Sequence, residues 1–347
     1  MSWVLAFVGF SALIVLHEFG HFIAAKATGM RVEKFSLFFG PMFAKIRRGE
    51  TTYGIGPIPL GGYVKITGMN PAEDIPPEHA HRAYYRQPVW KRIVVIGAGP
   101  AVNIALAFVI LAGVFMSIGT VEPPPKVGQI EAGKPAAGKL QKGDAVVAVD
   151  GTRLTGNYGE QVDQVGKAVG AHKGTPVTFT VTRDGKQVEV AGNTFYDPET
   201  KRYRFGFGYD QEASAAPAGP LRASSLALSE MWTVTSSTVS HIAQIFKPEK
   251  REEIGSVVGG YETTRAAISI DWVTALYVLA LISLSLGVIN LFPFLPLDGG
   301  HIFWALAEKI RGKAIPFAVM ERAGFVGFAL VLMLFVIGLS NDIGRLS

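Results

Sequence analysis

His17-Glu18-Phe19-Gly20-His21 sets two imidazoles and a carboxylate at the spacing used by metal-dependent hydrolases. On a helix, residues four apart share a face, so His17 and His21 can grip one ion. Glu18 sits beside His17 and can reach water activated by that ion. Two His ligands with a Glu general base are the pattern of zinc peptidases. The setting adds weight. These three ionisable groups lie in an apolar stretch, where each costs about 2.5 kcal/mol or more if charged and unpaired. A bound metal compensates that cost; the alternative is a helix end merely wetted at a membrane surface.

A catalytic zinc usually takes three protein ligands and leaves one position for water. The chain has no cysteine, which excludes disulfides, thiolate metal sites and a Cys nucleophile, so the third ligand must be His, Asp or Glu. Asp298 is the leading candidate. It ends Asn290-Leu291-Phe292-Pro293-Phe294-Leu295-Pro296-Leu297-Asp298-Gly299-Gly300, where two prolines break a helix and two glycines free the backbone to turn. The alternative role for Asp298 is to N-cap a helix over 300–311. His301 competes as a ligand but should project along that helix. His79 and His81, in a polar loop, and Glu308, on a surface helix, are expected to be solvated.

The elements that must position these groups belong to a membrane protein. About half of the 347 residues are apolar and the mean hydropathy is positive. Four stretches, at about 3–25, 93–118, 272–292 and 323–339, reach the roughly 20 apolar residues needed to span a bilayer. The first lacks a basic flank and is too long for a signal peptide, so it is expected to be retained. The net charge is +5, and no clustered basic face outside one loop suggests a nucleic-acid partner. That loop, 31–92, holds Arg31, Lys34, Lys45, Arg47, Arg48, Lys65, Arg82, Arg86, Lys91 and Arg92, and basic loops face the cytoplasm. Both termini and 120–270 then lie outside, with 298–322 inside. Within the loop, Phe35, Phe38, Phe39, Tyr53, Ile55 and Ile58 alternate loosely between Gly40-Pro41, Gly56-Pro57 and Gly61-Gly62. This predicts short strands that dip into the bilayer.

Residues 119–211 change character. Glu122-Pro123-Pro124-Pro125 is a stiff linker. Short β-like runs follow at 126–130, 145–149 and 177–182, with Asp184-Gly185 as a type I′ hairpin signal and a helix at 159–171. Over 212–271 we expect a linker, with Ala213–Pro220 as a hinge, then an amphipathic helix with charged residues at 247–253. The fold class is therefore polytopic α-helical with four spans. It carries a membrane-associated β region at about 34–66 and an inserted β-rich domain. The domain boundaries are 1–118, 119–211, 212–271 and 272–347.

The chain resembles the site-2 protease family of intramembrane zinc metalloproteases. It looks most like the bacterial branch that cleaves membrane-bound anti-sigma factors. His-Glu-x-x-His appears at His17–His21, and Asn-x-x-Pro-x-Pro-x-Leu-Asp-Gly appears in full from Asn290 to Gly299. Gly99-Pro100 with Asn103, Pro59-Leu60-Gly61-Gly62-Tyr63-Val64-Lys65, a PDZ-like stretch at 126–210 and Ile254–Gly260 extend the likeness over most of the chain. The resemblance implies that His17, His21 and Asp298 bind Zn²⁺. It also implies that Glu18 deprotonates the attacking water and later protonates the leaving amine. Asn290 would hold the substrate backbone or oxyanion, or else make an interhelical hydrogen bond; Asn103 would contact substrate or only pack. The strand near Gly56, Pro57, Gly61 and Gly62 resembles an edge that pairs with an unwound substrate.

The expected partners are the lipid bilayer, a single-span substrate and an upstream site-1-type protease, in regulated intramembrane proteolysis at the plasma membrane. The enterobacterial members carry two PDZ domains and this chain has room for one. Size filtering and binding of a new C-terminus therefore both stay open. A protease that clears remnant peptides, a PDZ scaffold with a dead site, and a metal transporter are the rival functions. An intact Glu18 argues against the scaffold. The scarcity of other intramembrane carboxylates or histidines argues against the transporter.

Overall fold

The computed structural model describes residues 2–70, 73–118, 120–121, 124–156, 158–198, 200–210, 215–244 and 256–346. Contacts divide the chain into two compact units, Met1–Val114 with Ser224–Ser347, and Phe115–Ala223.

The first unit opens with helix α1 (Ser2–Ala27). Its buried residues Leu13, His17, Gly20, His21 and Ala24 recur every three or four positions and form one stripe, while Trp3, Val4, Phe7, Val8 and Ile23 are exposed. The helix ends where Gly29 takes a left-handed backbone (φ 83°). Met30 N–H donates back to Ala25 O and Gly29 N–H to Lys26 O, the double bond of a Schellman turn. The chain then enters four strands: β1 (Val32–Phe39), β2 (Ala44–Arg48), β3 (Thr51–Ile55) and β4 (Ile58–Ile66). Their order is β2-β3-β1-β4, with β1 parallel to β3 and antiparallel to β4, so β4 is an edge. Phe22 of α1 stacks edge-on to Phe35 and Tyr53, fixing the sheet against the helix. Phe39, Phe43, Ile46, Ile55 and Ile58 remain exposed.

Helix α2 (Val89–Ile118) contains Pro100. Ala24, Ala25, Met30, Val32, Ile66, Tyr84, Val95 and Ile96 pack α1, the sheet and α2 into one core.

The second unit contains β5 (Thr120–Val121), β6 (Val127–Ile130), β7 (Ala145–Val149), β8 (Thr152–Arg153), α3 (Tyr158–Ala171), β9 (Pro176–Arg183), β10 (Lys186–Asn193), β11 (Phe195–Asp197), β12 (Arg202–Arg204), β13 (Phe207–Tyr209) and β14 (Ala215–Ala216). Its main sheet runs β10-β9-β7-β8; β6 pairs with β13, β11 with β12 and β5 with β14. Asp184 and Gly185 both take positive φ (47° and 77°), as the expected I′ hairpin requires. Phe179, Phe205, Val127, Val146 and Val181 centre its core. Beneath it the Arg183 guanidinium holds the buried Asp144 carboxyl below the usual carboxylate range.

Beyond 215, two helices stand where one was expected: α4 (Pro220–Ala243) and α5 (Val257–Ile270). The charged stretch 247–253, and 213–214 of the predicted hinge, lie outside the described residues. Helix α6 (Trp272–Asn290) starts where the Asp271 side chain accepts from Val273 N–H and Thr274 N–H. Helix α7 (Asp298–Arg311) and helix α8 (Phe317–Leu346) follow. Among the described residues, four helices, α1, α2, α6 and Ala318–Gly344 within α8, are long and apolar enough to cross a membrane.

Candidate metal centre

His17 and His21 reach the buried stripe of α1 by their four-residue spacing, and Asp298 reaches them from the first turn of α7. His17 Nε2 and His21 Nε2 lie 3.2 Å apart, and each lies close to Asp298 Oδ2, at 3.1 and 3.3 Å. Among the described residues, this is the group of three His, Asp or Glu side chains that could hold a metal ion. Ligands on a tetrahedral ion with bonds of about 2.0–2.1 Å stand about 3.3 Å from each other. The observed triangle has that edge length.

Protonation supports the same conclusion. His21 Nδ1–H donates to Val95 O at 2.9 Å, so in the neutral ring Nε2 carries a bare lone pair aimed at His17 and Asp298. Lone pairs and a carboxylate oxygen converging at this spacing call for a cation between them. The residues present therefore fit Zn²⁺.

Two close approaches shape the site. Gly99 of α2 faces the His21 ring so tightly that a Cβ there would lie 2.2 Å from Nε2. At Gly299 a Cβ would meet Leu291 O at 2.2 Å, so the segment after α6 can fold back on α7 only over a glycine. Asp298 is the first residue of α7. Leu297 occupies the cap position and no side chain caps it, so the expected alternative of an Asp298 N-cap is not realised. His301 stands one turn further along α7, half-buried and outside the ligand triangle.

Glu18 is half-buried beside the sheet. Gly62 of β4 packs against it: a Cβ there would lie 3.0 Å from Glu18 Cγ. The edge strand carrying Gly61 and Gly62 thus runs past the carboxylate. Gly56 and Pro57 form the turn between β3 and β4, where Gly56 N–H donates to Leu37 O. Asn290 donates to Leu286 O of its own helix, and among the described residues the alternative interhelical bond is not seen. Asn103 is fully buried on α2. Its side-chain amide has no partner among the described residues, while its backbone oxygen accepts from Ser283 Oγ of α6.

Glu308 lies on a largely exposed helix, as expected, but is only partly solvated: it receives two hydrogen bonds from the buried Arg92 guanidinium, at 2.8 and 3.0 Å. A partner 216 residues away left no local sign in the sequence. The Val95 carbonyl that orients His21 was equally invisible to side-chain pattern.

A match to peptidase family M50 runs over residues 5–334. The chain is 31% identical over 349 residues to zinc metalloprotease Rip1 of Mycobacterium tuberculosis, covering 86% of this chain and 83% of that one. A Clostridium perfringens relative bearing a provisional zinc-metalloprotease name is 30% identical, over 99% and 98% of the two chains. One from Rhizobium meliloti is 29% identical over 96% and 94%. The chain therefore belongs to peptidase family M50, the site-2 proteases. It is a zinc metalloprotease with membrane-spanning helices.

Proposed function

We propose that the enzyme cuts within the membrane-spanning segment of single-span proteins, of which an anti-sigma factor is the model substrate, after another protease has made a first cut. His17, His21 and Asp298 hold the zinc, and Glu18 is the general base. The observation that carries this reading is the triangle of ligand atoms joining a spanning helix to the segment that follows another. Bound zinc supplies a Lewis acid that polarises a carbonyl and acidifies water.

The chain's own groups do the rest. Glu18, packed against Gly62 of β4, takes the proton of the attacking water and returns it to the leaving amine. A helical peptide bond is shielded by its own hydrogen bonds, so the substrate must unwind. Edge strand β4, with Gly61 and Gly62 beside Glu18, is the surface on which the unwound segment adds as a strand, and Gly56 and Pro57 shape the turn that starts it. Asn290 and Asn103 offer amides to the substrate backbone. Asn103 in particular carries a buried amide with both atoms unpaired, a cost that a ligand would relieve.

The basic loop 31–92 puts the active site toward the cytoplasmic side of the plasma membrane, with both termini and the second unit outside. We assign that unit as a single PDZ domain, which either admits only trimmed substrates or binds the C-terminus the first cut creates.

The test is reconstitution of the purified chain in liposomes with single-span substrates. Cleavage should occur, stop with a zinc chelator, and be abolished in Glu18→Gln while that variant keeps its zinc. Full turnover by Glu18→Gln would sink the mechanism.

A further inference from the structure

The ligand set has a weakness that its local geometry does not cure. His17 and His21 share one helix, so their relative position is fixed by helical periodicity. Asp298 comes from α7, 277 residues beyond His21 in sequence, after a proline-broken segment. Something must fix α7 against the rest of the site.

We infer that the Arg92–Glu308 pair is the strut that does so, and that both are positioning residues for the metal centre. Glu308 lies on α7, ten residues after Asp298, so nearly three turns of rigid helix join them. Its carboxylate takes two hydrogen bonds from Arg92, from Nη1 at 3.0 Å and Nη2 at 2.8 Å, a fork geometry that restrains rotation as well as distance. Arg92 lies on α2 one turn before Val95, and Val95 O receives the His21 Nδ1–H bond. One short stretch of α2, residues 92–95, therefore grips α7 at one end and orients a His ligand at the other. Asp298 and His21 are both referenced to it.

The burial fits a positioning role. The Arg92 side chain is 8% exposed and Glu308 28% exposed. The Arg92 guanidinium also lies 5.9 Å from the ring centre of the buried Tyr84, whose N–H donates to Thr67 O just past β4. The strut thus ties in the loop that follows the edge strand. A buried charge pair is weak grounds for stability alone, because desolvation offsets most of the attraction. Its geometric specificity is what the metal site uses.

The inference rests on the metal-site assignment, and metal binding to the purified full-length chain separates the two. Glu308→Gln keeps size and loses the charge. On the folded, monodisperse fraction in detergent, it should weaken zinc binding about 10- to 100-fold, the range for groups that orient ligands without touching the metal. Its Co²⁺-substituted form should show altered visible bands, because Asp298 is displaced. Arg92→Lys keeps the charge but loses the fork, and should fall between Glu308→Gln and the parent. It carries the same comparison if Glu308→Gln does not fold. Parent-like zinc affinity and Co²⁺ spectrum in the folded variants would overturn the strut, whatever their thermal stability. A parent protein that binds neither ion would overturn the metal site itself, and the strut with it.

Discussion

Gly99→Ala isolates the fit between α2 and the metal ligands with a single methyl group. The added Cβ would lie 2.2 Å from His21 Nε2, 2.6 Å from Cε1 and 2.8 Å from Cδ2. Ordinary contact begins near 3.4 Å, so the ring must retreat by about 1.2 Å or α2 must move off α1. Either shift exceeds what a triangle of 3.1–3.3 Å edges can absorb while three atoms still reach one ion. A swing of the ring also strains the Nδ1–H bond to Val95 O. Loss of a ligand-orienting contact is worth about 10- to 100-fold in metal affinity, and a 1 Å misplacement about 100-fold in rate. Glycine inside a helix costs about 1 kcal/mol against alanine, so a change that only filled space would stabilise α2. Gly113→Ala in the same helix is the control, because its Cβ would meet nothing within 4 Å. We expect Gly99→Ala to lose zinc in chelator competition and to lose cleavage in liposomes, and Gly113→Ala to lose neither. Parent-like zinc affinity in Gly99→Ala would refute the close-approach reasoning.

Asn103→Leu removes a buried amide that has no partner among the described residues. It should leave the thermal midpoint unchanged or raised, since an unsatisfied buried amide costs about 1–3 kcal/mol, while turnover falls. Unchanged turnover would assign Asn103 to packing. Glu50 gives a pH prediction outside the spanning segments. Hydrogen bonds from Arg82 and Lys26 hold its carboxyl down to about 2. A depressed folded-state value contributes stability above the ordinary carboxylate range near 4.5, and that contribution disappears as pH falls toward 2. Glu50→Gln should therefore lower the thermal midpoint at pH 7 and converge with the parent near pH 2; a pH-independent difference would contradict the linkage.

What the sequence makes legible here follows from how local each signal is. Histidines four apart on an apolar helix, two prolines before Asp298 and the Asp184-Gly185 hairpin act within a few residues, so type and spacing suffice to read them. The strand pairing is different. The parallel β1–β3 pair and the edge position of β4 depend on contacts between strands, which alternation does not encode. After residue 212 composition suggests a helical segment but not its bounds, and α4 and α5 are described on either side of the charged stretch 247–253. Charge on a helix normally means solvent, and Glu308 keeps part of that exposure; its buried partner comes from another helix entirely, so no local pattern reveals it. The cap role open to Asp298 was plausible locally, and only the approach of α7 to α1 shows what its carboxylate faces.

Zinc K-edge absorption of the purified enzyme beside its Asp298→Ala variant tests the centre most directly. The parent should hold one zinc per chain, with a shell of nitrogen and oxygen at about 2.0–2.2 Å that includes two imidazoles. Asp298→Ala should show lost occupancy or a shell short of one carboxylate oxygen. An unchanged shell in that variant, or a third imidazole in the parent, would contradict the ligand set His17, His21 and Asp298.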